Sequence, residues 1–252
     1  MKLGKIKATY VDHMGSDERV VDAARVSFAK ASDNFTEKQN KNLIQFLARG
    51  CTSGEWNANI SLLAAEGIER DEVERILNWA KNMPTHFTPF THPQITMVEK
   101  VPIFLSRQRF KHGIGFTYNE VSRRYVDEEP EIYTPSEWRS RPDGSVKQGS
   151  GEVHKSSSNL CVGYEHHMAQ LILDYNSMIA GGVAPEQARM ILPQSMMTED
   201  YVTGSLYAWA NAYIQRSDGH AQKEIQELAA QWDEIIAPLY PVSWAALTRG
   251  DY

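Results

Sequence analysis

Five cations stand within 19 residues at positions 107–125, RQRFKHGIGFTYNEVSRRY: Arg107, Arg109, Lys111, Arg123 and Arg124. Interleaved with them are His112, Gln108, Asn119, Glu120 and the Ser122 hydroxyl. A serine hydroxyl beside two guanidinium groups suits phosphate, because arginine forks make charge-assisted, often bidentate bonds to its oxygens. Gly113 and Gly115 interrupt the run and would let backbone N–H groups come close to a ligand. The plain alternative is a solvated turn whose cations pair with Asp127, Glu128 and Glu129. The chemistry on offer is the binding of a phosphorylated small molecule.

Two further groups could take part. In HFTPFTH (86–92), His86 and His92 could ligate a metal, or an imidazole and two phenyl faces could stack on a flat ring beside Thr88. A structural turn fixed by Pro89 explains the same residues without a ligand. Towards the C-terminus come Arg189 with Leu192-Pro193, then Asn211, Arg216, Asp218, His220 and Gln222. Asp218 or Ser217 could simply cap a helix starting near His220, and Arg216 could simply suit a helix C-terminus. Cys161 lies in an apparently helical stretch with no activating base nearby, which reads as a buried structural thiol rather than a nucleophile. No G-x-S-x-G, H-E-x-x-H or dinucleotide-binding G-x-G-x-x-G occurs.

The chain of 252 residues is 42% hydrophobic and 23% charged, with a formal net charge of −6. An acidic chain is a poor partner for polymeric nucleic acid, which calls for a domain-wide basic face. A mononucleotide needs only a few cations in one pocket. Two cysteines without CxxC spacing fit a reducing compartment. With no apolar leader or long apolar run, the expected setting is cytoplasmic, without a membrane partner.

Hydrophobic periodicity predicts helices over 17–28, from a Thr36/Gln39 capping box onward, and over 71–83, 154–179, 185–192, 205–216 and 220–239. In the third of these the apolar positions are Val73, Ile76, Leu77, Trp79 and Ala80, with Pro84 beyond its end. Extended segments are expected at 5–11, 94–99 and 132–134, and a flexible polar loop at 140–152. Runs of helix with a modest sheet indicate a helix-rich α+β fold, read as one domain over 1–252.

In this order the motifs resemble the flavin-dependent thymidylate synthases, the ThyX family. The similar blocks are MGSDERVVDAARVSF (14–28), HFTPFTH, the 107–125 run, the AR-x-x-LP of 188–193 and the R-x-D-x-HAQ-x-EI of 216–225. The resemblance implies a central, mostly antiparallel sheet and a homotetramer with active sites shared between copies. It implies reductive methylation of dUMP to dTMP, with methylene-tetrahydrofolate as carbon donor and NADPH-reduced FAD as hydride carrier. Positions matching the family's dUMP contacts are Gln108, Lys111, Glu120, Ser122, Arg123, Arg124, Arg189 and Arg216. Ser122 and Arg124 would take the phosphate, and Arg216 the catalytic role of stabilising charge on the pyrimidine. Positions matching FAD contacts are His86, Thr88, Lys111, His112, Gly113, Glu120 and Asn211. The family's Arg-His-Arg is Lys111-His112-Gly113 here, and the glutamate of its P-F-E-H segment is Thr91. Methylation of another pyrimidine nucleotide, hydroxymethylation, or nucleotide binding without catalysis are the alternatives.

Overall fold

A computed structural model describes residues 1–29, 35–50, 53–81, 86–142 and 149–248. Cys51, Pro84, residues 143–148 of the polar loop, and the side chains of Ile76, Leu77, Trp79 and Ala80 lie outside that description. Two strands, β1 (Lys2–Gly4) and β2 (Lys7–Met14), open the chain, followed by α1 (Asp17–Arg25) and α2 (Glu37–Arg49). The capping box forms: Thr36 Oγ1 accepts from the Gln39 N–H at 3.3 Å, and Gln39 Oε1 accepts from the Thr36 N–H at 2.9 Å. Together they satisfy two amides that the first turn of α2 leaves without helical partners. Two helices, α3 (Ser53–Ala65) and α4 (Arg70–Lys81), pack on each other through Trp56, Ile60 and Val73.

The main sheet is four-stranded and antiparallel, in the order β2, β3 (Gln94–Pro102), β6 (Met197–Ser205), β4 (Phe116–Glu120). Met97 of β3 and Tyr118 of β4 both oppose Val202 on β6. A separate parallel pair joins β1 to β5 (Glu131–Tyr133). The expected α+β, mostly antiparallel architecture is therefore observed, although β4 and β6 carried no clear strand signal. On β3, alternation buries Ile95, Met97, Glu99 and Val101 on one face, as the two-residue period of a strand requires.

α8 (Leu206–Arg216) and α9 (Lys223–Ile236) pack on the sheet, and α10 (Pro241–Thr248) packs on α8 and α2; together they contribute the fully buried Trp209, Trp232 and Trp244. Ser205 caps α8 by accepting from the Ala208 N–H at 3.2 Å. The long helix α6 (Ser157–Ala180) packs Met168 and Ile172 against β5. The predicted 185–192 helix splits into α7 (Pro185–Ala188) and a 3₁₀ turn, Arg189–Ile191.

The 107–125 run is not a loop. Its first residues end α5 (Ile103–Arg109), and it continues through a turn into β4. Gly115 has φ +79°, and a Cβ there would stand 2.9 Å from the Ala208 Cβ, so this glycine serves packing against α8 rather than a ligand. Arg109 needs a larger correction. It is 1% exposed, so it cannot offer its charge to a ligand. Its Nε donates to both carboxylate oxygens of Glu99, at 3.0 and 3.2 Å. Its guanidinium carbon lies 4.2 Å from the Phe116 ring centroid and 4.7 Å from that of Trp209. Burial pushes the Glu99 carboxyl up, while the Arg109 charge and hydrogen bonds pull it back towards the ionised form.

Removing one partner of such a pair strands the other in the core. Arg109→Met should therefore cost about 3–5 kcal/mol of stability, and a second change, Glu99→Gln, should restore part of it. Urea denaturation of the two single variants and the double variant measures this; strictly additive losses would show that the pair is not coupled.

Candidate active site

The site is assembled where the end of α8 meets the end of α5. Arg216 is the last residue of α8, yet its guanidinium turns away from its own helix end. Its Nε donates to His112 Nε2 at 2.8 Å, and its Nη2 donates to the Gln108 carbonyl oxygen at 3.2 Å. Gln108 Nε2 in turn donates to Gln222 Oε1, just before α9. His112 is tied to the core as well: its carbonyl oxygen accepts from the Tyr118 hydroxyl at 2.7 Å, and that hydroxyl accepts from Arg109 Nη1 at 2.7 Å. The buried ion pair, the sheet and Arg216 thus form one connected network.

The charge state of this cluster is unusual. The His112 pKa is lowered to about 4, first by burial and then by the positive charges of Arg216 and Arg109. At neutral pH the imidazole is uncharged, and the bond to Arg216 requires an unprotonated Nε2, so its proton sits on Nδ1. Burial and the neighbouring Arg109 charge also lower the Arg216 pKa. Among the described residues no carboxylate pairs with Arg216, whose bonded partners are both neutral. A half-buried cation held by neutral acceptors is an incomplete electrostatic arrangement, which an anionic or polarisable ligand would complete.

The phosphate-type residues lie elsewhere in the chain. Ser122, Arg123 and Arg124 follow β4, whereas His112 precedes it, so a strand of roughly 17 Å separates them at about 3.3 Å per residue. Arg124 Nε donates to Ser122 Oγ at 3.3 Å, which holds the hydroxyl and guanidinium side by side as the motif predicts. Arg123 Nη1 donates to the Glu128 carbonyl oxygen. Among the described residues the alternative pairing of these cations with the Asp127, Glu128 and Glu129 carboxylates is not formed. Glu120 is exposed, and its Oε1 accepts from Thr198 Oγ1 at 2.7 Å. Arg189 is exposed, with its Nε donating to the Glu186 carbonyl oxygen at 3.3 Å.

The flavin-type positions fall into two sets. His86 is exposed and stacked on Phe46, with centroids 6.3 Å apart; Phe87 stacks on Tyr207 at 5.1 Å, and Thr88 opens the adjoining 3₁₀ turn. His112 belongs to the Arg216 cluster, with Lys111 and Gly113 exposed beside it, and a Cβ on Gly113 would meet nothing within 4 Å. Asn211 is half-buried on α8. Exposed ring faces at Phe87 and His86 and a 96% exposed Ile114 are surfaces that a large planar cofactor would cover. These residues fit a flavin.

Several other expectations change. Asp218 does not cap α9; it accepts from the His220 N–H at 2.8 Å and from His220 Nδ1 at 3.0 Å within the preceding turn. Cys161 is half-buried rather than buried, and its Sγ faces the Pro135 carbonyl oxygen at 4.0 Å, a neighbour that does nothing to stabilise a thiolate. Among the described residues no group of three or more His, Cys, Asp or Glu could hold a metal ion. No described helix is long and apolar enough to cross a membrane. Sequence reasoning passed over Glu99, Ser106, Thr198 and Asp200, which line the inner face under β4. Ser106 Oγ donates to Asp200 Oδ2 at 3.1 Å, and burial, reinforced by Glu120, pushes the Asp200 carboxyl up to about 7. The two-residue alternation of β3 was a signal that could have found Glu99; Ser106 lies on α5, and Thr198 and Asp200 lie on β6, which carried no clear strand signal.

The profile of the family described as "Thymidylate synthase complementing protein" matches residues 9–242. A flavin-dependent thymidylate synthase of Thermosipho africanus is 30% identical over 246 residues, covering 96% of this chain and 90% of that protein. The corresponding protein of Kosmotoga olearia is 31% identical over 245 residues, with the same coverage. Among solved structures, a UMP/dUMP methylase, PolB, from Streptomyces cacaoi bound with 5-Br dUMP superposes with a TM-score of 0.73. It is 25% identical, and the match covers 98% of this chain and 96% of that one. With a profile match across nearly its whole length and relatives of the same name over 96% of its residues, the chain belongs to the flavin-dependent thymidylate synthase family.

Proposed function

We propose that this chain is a single-domain, flavin-dependent thymidylate synthase that methylates dUMP to dTMP. FAD would supply hydride chemistry at the site, with NADPH as reductant and methylene-tetrahydrofolate as carbon donor. The observation that carries this reading is Arg216, a half-buried guanidinium aimed by two neutral acceptors and lacking a carboxylate partner. Placed beside a uracil ring, such a preorganised cation stabilises negative charge on the pyrimidine and makes C5 more nucleophilic. That role suits a chain whose described cysteine faces a carbonyl oxygen.

Ser122 and Arg124 take the phosphate, with Arg123 and Glu120 at the rim. Gln108, Lys111 and Arg189 complete the nucleotide contacts. His86, Thr88, His112, Gly113 and Asn211 meet the flavin, together with Lys111 and Glu120. Among the described residues no hydrogen bond or ion pair links Arg216 to the 122–124 turn, and in this reading each site draws Arg216 from one copy and the phosphate turn from another in a homotetramer. A second reading, a pyrimidine-nucleotide C5 methylase that also accepts UMP, is favoured by the likeness to a UMP/dUMP methylase.

Anaerobic turnover tests the chemistry. The purified protein should be yellow, its flavin should bleach with NADPH, and mass analysis should show dUMP gaining a methyl group from the folate donor. Equal conversion of UMP would favour the second reading, and a colourless protein unable to take up FAD would refute both.

Arg216→Ala should lower turnover by at least about 100-fold while keeping flavin absorption. Arg124→Ala should be similarly inactive, and mixed tetramers of the two variants should regain activity, because some sites then hold both arginines. No recovery on mixing would place the two groups in one copy. NMR titration should show His112 neutral from pH 8 to well below its ordinary 6.5, protonating near 4. Because its folded value lies below its unfolded one, the His112 contribution to stability is lost as pH falls from 6.5 towards 4.

A further inference from the structure

Three carboxyl groups stand in one row across the main sheet. Glu99 on β3 and Glu120 on β4 both oppose Asp200, which lies between them on β6. Directly opposed residues of antiparallel strands share a face of the sheet, with Cβ atoms about 4.5–5.5 Å apart, and like charges so placed repel. The cation at this row, Arg109, is engaged by Glu99 at one end.

Asp200 is the middle member, and its surroundings oppose a negative charge. It is 1% exposed. Facing it are Glu99 from β3, Glu120 and the Tyr118 hydroxyl from β4, and Ser106 and Arg109 from α5. Ser106 Oγ donates to Asp200 Oδ2 at 3.1 Å, whereas Oδ1 is buried without a hydrogen-bond partner. An ionised oxygen left bare in the core costs far more than the same oxygen in a neutral acid. Burial, then the Glu120 and Glu99 charges, push the group up to about 7 against the pull of Ser106 and Arg109. At the other end of the row Glu120 is exposed, and Thr198 Oγ1 donates to its Oε1 at 2.7 Å.

We propose that Asp200 is a positioning residue: a neutral carboxylic acid set between two carboxylates, it keeps Glu120 on Thr198 at the end of β4 where the nucleotide docks. The docking of the nucleotide rests on the proposed function; the neutral acid in the row does not. Once ionised, Asp200 repels Glu120 from its seat, and apparent affinity falls with the fraction of molecules still competent to bind. The folded value is raised, so the stability Asp200 contributes is complete below the ordinary aspartate range and is lost as pH rises through about 7. Asparagine copies the shape of the acid and keeps an acceptor for Ser106 without the charge.

Calorimetric titration of the flavin-loaded protein with dUMP compares the unaltered chain with Asp200→Asn. At about pH 8 the variant should bind dUMP about tenfold more tightly, and this advantage should shrink at about pH 6. Ionisation of the phosphate is common to both proteins and cancels in the ratio. A merely structural aspartate gives the opposite result, an asparagine variant that binds no better at either pH. Infrared difference spectra without ligand should show a carboxylic-acid C=O band that is lost as pH rises through about 7 and is missing from Asp200→Asn. Glu120→Gln removes a flanking charge and should move the loss of that band to higher pH-independent acidity, that is, to a lower pH, so the row is tested even if Asp200→Asn folds poorly. Absence of the band, a band unmoved in Glu120→Gln, or an affinity ratio that does not change with pH would overturn the assignment. Failure of the unaltered chain to bind dUMP, with the band and its shift present, would refute the proposed function and leave the neutral acid between its neighbours standing.

Discussion

The buried pair of Arg109 and Glu99 governs the geometry around it, because a charged arginine in an apolar core must be paired: its Nε meets Glu99 and its Nη1 meets Tyr118, while Nη2 is left without a partner. That demand fixes where α5 lies on the sheet. Glu99 is fully buried on β3, the rings of Phe116 and Trp209 pack against the guanidinium carbon, and Tyr118 takes another of its N–H groups. Once Arg109 is seated, Gln108 is placed beside it at the end of α5, and His112 in the following turn, where its N–H donates to the Arg109 carbonyl oxygen at 3.0 Å. The acceptors that aim Arg216 are thus set by a core interaction rather than by surface contacts.

This arrangement separates two kinds of cation within one basic run. Arg109 is structural, neutralised and sealed; Arg123, Arg124, Arg189 and Arg216 lack carboxylate partners among the described residues. An ion pair in the core limits solvent access and motion at its neighbours, and preorganisation of that kind makes a fixed charge effective against a developing one. The neutral state of His112 belongs to the same logic. Burial, backed by two nearby guanidinium groups, suppresses a third positive charge, and the resulting acceptor nitrogen orients Arg216 without competing with it.

The division of the site between the Arg216 cluster and the Ser122–Arg124 turn has a topological cause. Both belong to the 107–125 run or touch it, but β4 lies between them as a rigid strand paired to β6. A contiguous motif need not be a contiguous pocket. Chain proximity along 19 residues gives way to about five residues of extended backbone.

Much was legible in the sequence because local physics decides it. The Thr36/Gln39 box announces the start of α2, Ser205 and the apolar spacing after it announce α8, and the Ser122-Arg123-Arg124 triplet sets a hydroxyl beside a guanidinium wherever it folds. Family membership was readable too, since five motif blocks in order carry it even where Lys111 and Gly113 depart from the pattern. The inward turn of Arg109, the pairing of β4 with β6 and the grip of His112 on Arg216 were not legible. Each depends on a partner far along the chain: ten residues for Glu99, 104 for Arg216 and His112. Residue type shows that an arginine carries charge, but whether that charge meets solvent, a ligand or a buried carboxylate is settled only when distant elements close around it.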